Sequence, residues 1–139
     1  MTSPGVSLIL NIDVPDLRSA TRFYVDAFGL RVGRRFEGAI ELLGAAVPIY
    51  LLAKPEGGLP FTGAAAGRHY GRHWTPVHFD LVVDDLEAAG ARAAANGARD
   101  AGGVSDHAWG RMALFSDPFG NGFCLLEFRG RGYDEMALE

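Results

Sequence analysis

Two stretches of the chain alternate apolar and polar residues with the period of a β-strand. The stretch 8–14 places Asn11 and Asp13 on one face, beside Ile9, and its remaining, apolar residues on the other. The stretch 78–83 repeats the pattern, with His78 and Asp80 on the mixed face. Each stretch therefore predicts a strand with one face on a core and polar groups gathered on the opposite face.

A helical pattern follows each of these strands. Asp16 precedes apolar residues at helical spacing that end at Gly29, and Asp85 precedes a second set that ends near Asn96 and Gly97. Aspartate is a favourable N-cap, and glycine suits the left-handed residue that closes a helix. We expect both helices to pack on the apolar faces of the opening strands, which turns the polar faces away from them.

The two halves of the chain are copies of one module. The residues Ile12, Val14, Asp16 and Leu17 recur 69 positions later as Leu81, Val83, Asp85 and Leu86. Short strand-like runs follow each helix, at 31–36, 39–43 and 48–52 and at 104–107, 111–115 and 122–128. The predicted fold class is α+β, with two βαβββ modules in tandem.

Length and composition favour one domain. The 139 residues are 48% apolar and 22% charged, which suits a single globular domain at 1–139. We place the first module at about 6–54, a connector at 55–76, the second module at about 77–129 and a tail at 130–139. Because the connector carries Phe61, Tyr70 and Trp74, we expect part of it to pack over the sheet.

Charge and cysteine content exclude several classes of protein. A net charge of −4 with scattered arginines argues against a nucleic-acid partner. The single cysteine, Cys124, leaves neither an internal disulfide nor a Cys-rich zinc site. The apolar stretch 6–12 is too short for a membrane span, so we expect no membrane partner and a cytoplasmic location. No phosphate-binding glycine loop or nucleophile elbow is present.

The second half ends in a motif that resembles a known family. The run 109–122 contains the turn Asp-Pro-Phe-Gly-Asn at 117–121, between two predicted strands. Together with Arg-Phe-Tyr at 22–24, Phe-Gly-Leu at 28–30 and the repeat, it resembles the vicinal oxygen chelate superfamily of glyoxalases, bleomycin-resistance proteins and ring-cleavage dioxygenases. The resemblance covers about 8–128. It implies a curved mixed sheet around a ligand cavity and a homodimer.

The resemblance also implies four positions for metal ligands, of which this chain keeps one. His78 stands at the first-strand position of the second module, whereas the matching position of the first module is Ile9. The last-strand positions fall on Cys124 and, within a residue or two, on Tyr50. Glu127 would project to the opposite face of its strand from Cys124. We therefore expect no cofactor. A divalent metal held by His78 with help from Asn11, Asp13, Tyr50, Asp80 or Cys124 is the alternative.

Several other residues are candidates for ligand contact, each with an ordinary structural alternative. Arg111 could pair with a ligand carboxylate, although it would also suit the surface. Aromatic rings could stack on a planar ligand or belong to the core; these are Phe36, Tyr50, Trp109 and Phe115. The other histidines, at 69, 73 and 107, are expected in loops or on the surface.

These observations predict a metal-free protein that binds a small, largely apolar or planar molecule in the cavity between the modules. The alternative is a metal-dependent lyase, isomerase or dioxygenase of the glyoxalase type that uses His78. A metal-free enzyme would instead use His78 and Asp80 for proton transfer. The fold by itself does not choose between these functions.

Overall fold

The computed structural model describes residues 5–138, which divide into two compact units with the boundary between Arg68 and His69. The first unit contains β1 (Leu10–Val14), α1 (Leu17–Phe28), β2 (Arg31–Phe36), β3 (Ala39–Leu43) and β4 (Ile49–Ala53). Its sheet has the order β1-β4-β3-β2, in which β1 and β4 are parallel and the other pairs are antiparallel.

The second unit repeats this arrangement. It contains β5 (Phe79–Val82), α2 (Leu86–Ala95), β6 (Arg99–His107), β7 (Gly110–Ser116) and β8 (Gly122–Phe128). The sheet order is β5-β8-β7-β6, and β5 and β8 are its parallel pair. The tandem βαβββ organisation predicted from the sequence is therefore confirmed.

The capping residues act as the sequence predicts. The Asp16 side chain accepts a hydrogen bond from the Ser19 amide at 2.9 Å, and Gly29 closes α1 with a φ of 69°. The Asp85 side chain caps α2 by accepting from the Ala88 amide at 3.1 Å. The helix α1 buries Ala20, Phe23, Tyr24 and Ala27, and its neighbours in the sheet bury Ile12, Val14, Leu42 and Leu51. Removal of these side chains from water is the main term that stabilises such a unit.

One strand extends well beyond its predicted range. We expected a strand at 104–107, but β6 begins at Arg99. Its pairing with β7 continues on both sides of a bulge between Asp100 and Gly103. The Asp100 carboxylate accepts hydrogen bonds from the amides of Gly102 and Gly103 at 3.0 and 2.7 Å. The Ala-Gly-Gly run at 101–103 therefore belongs to the bulge of a strand rather than to a loop. The tail also contains an unpredicted 3-10 turn, Gly132–Glu135.

The connector belongs in part to each unit. In the first, the Gly57 amide donates to the Arg68 carbonyl at 2.7 Å, and the Arg68 guanidinium pairs with Asp13 at 2.8 Å. In the second, the His73 amide donates to the Gly120 carbonyl at 3.3 Å. Among residues 5–138 no helix is both long and apolar enough to cross a membrane.

Candidate functional site

The strand registers align the two modules residue by residue. Asn11 lies opposite Tyr50 on β4, and Asp80 lies opposite Cys124 on β8. Because Asn11 and Asp80 are 69 positions apart, like the other repeated residues, Tyr50 and Cys124 occupy equivalent places. This agrees with the correspondence taken from the resemblance.

Three of the predicted site residues meet in the second unit. His78 Nε2 lies 3.7 Å from Asp80 Oδ1, and Asp80 interacts with the Cys124 thiol. Burial raises the pKa of Cys124 to about 11, and the charge and hydrogen bonding of Asp80 contribute to the increase. Burial and the neighbouring Asp80 thus favour the protonated thiol of Cys124.

A pocket of about 230 Å³ opens beside this group. Its apolar part is formed by Leu114 and Cys124, and His78 lies on its wall. The remaining wall comes from the connector segment 72–75, in which the Trp74 side chain is 80% exposed. Sequence reasoning missed this segment as a site element, and the expectation that part of the connector packs over the sheet stays a prediction.

The turn at 117–121 fastens the connector segment. Buried Asp117 accepts hydrogen bonds at Oδ1 from the amides of Phe119 and Asn121, at 2.8 and 2.9 Å. The Asn121 Nδ2 group donates to Asp117 Oδ2 at 3.0 Å, which aims its Oδ1 at His73 Nε2, 2.9 Å away. His73, expected in a surface loop, is thus held against the turn.

Two glycines of this region allow the connector to approach. A Cβ at Gly120, whose φ is +85°, would lie 2.0 Å from the Gly71 carbonyl oxygen. A Cβ at Gly122 would lie 2.8 Å from Nη2 of Arg72. The glycines of the motif therefore serve the contact with the connector as well as the turn.

Three predicted contact residues lie elsewhere in the second unit. The Phe115 ring is buried beside Phe123, with centroids 5.8 Å apart, and a Cβ at Gly90 of α2 would touch it. Arg111 forms a short ion pair with Glu87 near the start of α2. Trp109 stacks on His107, with centroids 4.9 Å apart. The structure thus places these residues in the core, in an ion pair and in an aromatic cluster, and not on the wall of the pocket.

Glu127 lies on the helix side of its strand, as expected. Its Oε2 accepts a hydrogen bond from the Leu86 amide at 2.8 Å, at the first residue of α2. Cys124 instead clusters with Trp109 and Leu126. Glu127 is therefore separated from the His78 group by the sheet.

The first unit contains a polar network around a buried glutamate. The Glu41 side chain is 6% exposed, and its Oε2 accepts hydrogen bonds from the Tyr50 hydroxyl at 2.6 Å and from Arg34 Nη2 at 2.8 Å. These bonds, that of Arg34 first, hold the pKa of Glu41 at about 2, and the bond to Glu41 raises the pKa of Tyr50. The exposed Phe36 ring lies 6.2 Å from that of Tyr50.

Sequence reasoning did not identify Arg34 or Glu41. The available signal was the glutamate in the middle of Ala-Ile-Glu-Leu-Leu at 39–43, because a lone charge in such a strand needs a partner. Of the other first-unit candidates, Asp13 is paired with Arg68 and Asn11 is exposed.

Replacement of Glu41 by glutamine should destabilise the protein at pH 7, whereas Glu37→Gln, at an exposed position, should change little. The pKa of Glu41 is lowered from 4.5 to about 2, so its charge stabilises the fold above the higher value and this contribution is lost as pH falls through the lower one. Urea unfolding followed by circular dichroism between pH 7 and pH 2 tests this. A Glu41→Gln deficit that stays constant over this range would contradict the assignment.

The residues at the former metal positions have other bonding partners. The Tyr50 hydroxyl is bonded to Glu41 and Arg34, and burial beside Asp80 raises the pKa of Cys124. Among residues 5–138, the one group of at least three His, Cys, Asp or Glu ligand atoms within 4.8 Å of one another is Asp85, Glu87 and Glu127, which excludes His78. These carboxylates already accept bonds from α2 amides and from Arg111 and Arg129. The donors around His78 therefore do not fit a divalent ion.

Comparison with known proteins supports the fold. The family model of the glyoxalase-like domain matches residues 9–126. No curated protein matches the sequence. The chain is similar to a glyoxalase/bleomycin resistance protein/dioxygenase family enzyme from Burkholderia phytofirmans PsJN, with a TM-score of 0.69 and 18% identity over 87% of this chain and 97% of that one.

Two further solved structures are similar. One is a glyoxalase/bleomycin resistance protein/dioxygenase from Nocardioides, with a TM-score of 0.65 and 20% identity over 95% of this chain and 89% of that one. The other is TnmS3, an antibiotic-binding protein from Streptomyces sp. CB03234, with a TM-score of 0.65 and 23% identity over 93% of this chain and all (100%) of the other. At these identities the likeness shows a shared fold.

Proposed function

Because this chain belongs to the family of glyoxalase-like domains, we propose that it binds a planar, largely apolar small molecule without a resident metal ion. The observation that carries the proposal is the pocket of the second unit, which has an apolar floor and an exposed indole beside it. Such a mixture of apolar surface and a few polar groups is typical of small-molecule sites.

The chemistry of the former metal positions supports binding without metal. His78 keeps its place, but its neighbours are a neutral thiol and a carboxylate with which it can form an ion pair. The antibiotic-binding function stated for TnmS3 is compatible with ligand capture on this fold. The homodimer and the enzyme alternatives stay predictions.

The neutral bicyclic probe naphthalene-2-carboxamide tests the site. Titration into the ¹⁵N-labelled protein should shift the backbone amides of Leu114, Gly122 and Cys124, with a dissociation constant on the order of 1 mM or lower for a ligand of this size. Leu114→Asp, which puts a charge on the pocket floor, should weaken binding at least about tenfold. Val104→Asp, at an exposed position of the same unit, should not. Absence of shifts at the three pocket amides would overturn the proposal.

Metal analysis provides an independent test. Protein purified without chelator should carry transition metal well below one ion per chain, and His78→Ala should leave that content unchanged. Stoichiometric metal that is lost in His78→Ala would contradict metal-free binding.

A further inference from the structure

Arg72 is an arginine of the pocket wall that pairs with no carboxylate among residues 5–138. Carboxylates pair with Arg34, Arg68, Arg111, Arg129 and Arg131. Within residues 5–138, the hydrogen-bond partners of Arg72 are instead the carbonyls of His73 and, at 3.4 Å, Gly120, both through Nη1. Its Nη2 group is thus left as a donor within the pocket.

The position of this guanidinium is defined by the backbone beneath it. A Cβ at Gly122 would approach Nη2, Cζ and Nη1 of Arg72 to 2.8, 3.1 and 3.1 Å, so the planar group lies on the start of β8. His73, the next residue, is held by Asn121 at 2.9 Å. Arg72 is exposed, so its guanidinium is accessible to an anion, and its parallel N–H groups match a carboxylate.

The charges of the pocket distinguish its two ends. Asp80 lies against His78 and Cys124, so negative charge is already present at that end. Gly122, beneath Arg72, is two residues before Cys124, which is about 7 Å along a strand. An anionic group is therefore favoured at the Arg72 end, and an apolar ring is favoured over Leu114 and Cys124.

We propose that the ligand is a planar aromatic carboxylate whose carboxylate is bound by Arg72 while its ring lies in the apolar part of the pocket. This inference depends on the proposed function, because it names the chemical class of ligand for the same pocket. Arg72 then makes the pocket bind an aromatic carboxylate in preference to a neutral derivative of the same ring system.

The test compares naphthalene-2-carboxylate with its neutral amide in isothermal titration calorimetry and in the amide-shift titration. The carboxylate should bind the unmodified protein about tenfold or more tightly than the amide, as charged hydrogen bonds contribute. Arg72→Gln should abolish this preference without changing affinity for the amide, and Arg72→Lys should keep part of it. Arg99→Gln, which removes an equal charge from an exposed position on β6, should preserve it.

The outcomes separate the two proposals. If the carboxylate and the amide shift the pocket amides with equal affinity, the role of Arg72 is overturned and ligand binding in the pocket stands. A preference that survives in a folded Arg72→Gln variant would also overturn it, because another group would hold the anion. If neither compound shifts the amides of Leu114, Gly122 and Cys124, both proposals fail.

Discussion

Gly120→Ala is expected to lower the free energy of unfolding by about 3 to 5 kcal/mol, since backbone strain and a steric clash both act at this position. The φ of +85° disfavours any residue with a Cβ, and that Cβ would lie 2.0 Å from the Gly71 carbonyl oxygen. Because the clashing atom of Gly71 belongs to the backbone, the clash is relieved only if the connector moves away from the turn. Urea unfolding followed by far-UV circular dichroism measures the loss.

Gly103→Ala is the matched control for this prediction. Gly103 belongs to the same unit and has a φ of +72°, but an added Cβ would meet nothing within 4 Å. It should therefore show the backbone strain alone, about 1 to 2 kcal/mol. Equal losses in the two variants would show that the approach of the connector to Gly120 contributes nothing.

Displacement of the connector should also affect the pocket. The Gly120 carbonyl accepts bonds from the His73 amide and from Arg72, which both belong to the segment that forms the pocket wall. In Gly120→Ala we therefore expect the amide signals of residues 72–75 to shift and affinity for the naphthalene probes to fall. Unchanged signals together with a large loss of stability would contradict this coupling.

Phe123→Ala is the second substitution with a large expected effect. The Phe123 ring is fully buried (0% exposed) and stacks between Phe79 and Phe115, with centroid distances of 5.9 and 5.8 Å. Truncation removes apolar contacts and leaves a cavity, which costs about 3 to 5 kcal/mol for a buried phenylalanine. Urea unfolding by circular dichroism again provides the measurement.

Phe128→Ala, on the same strand, is its control. This ring is 38% exposed and packs only at the edge of the cluster with Trp109 and Tyr133. Its truncation should cost about 1 to 2 kcal/mol. If Phe128→Ala lowered the free energy of unfolding as much as Phe123→Ala, the central role of Phe123 in the core of the second unit would be contradicted.

Most of the fold was predictable because local patterns and tertiary packing agree. The aspartate caps and the helical spacing predicted both helices, and the short strand-like runs predicted β2, β3 and β8 closely. The main error was the start of β6, where the Asp100 carboxylate accepts hydrogen bonds from the amides of Gly102 and Gly103. The glycine-rich sequence does not indicate these bonds. A side chain that bonds to amides two and three residues ahead stabilises a bulge that composition alone does not distinguish from a loop.

The candidate site was predicted less completely. His78, Asp80 and Cys124 could be grouped from the repeat and the resemblance, because alternation on paired strands determines which residues share a face. Phe115 and Arg111 lie toward α2, which corresponds to the structural alternative left open for each, since period-two alternation does not say which face of β7 meets α2. Arg72, His73 and Trp74 were missed because they lie in a connector without periodicity.

The sequence by itself determined the duplicated βαβββ order, since that order depends on local periodicity and residue identity. The resemblance to the vicinal oxygen chelate superfamily implied that this chain keeps one of its four metal-ligand positions. Only the tertiary structure decided that the connector fastens to the turn at 117–121 and that buried Glu41 bonds to Arg34 and Tyr50. It also decided that, in the part of the chain that the structure describes, Arg72 bonds to carbonyls and not to a carboxylate. Those features arise from contacts between residues that are distant in sequence, and their pairing depends on distances and directions that no local pattern encodes.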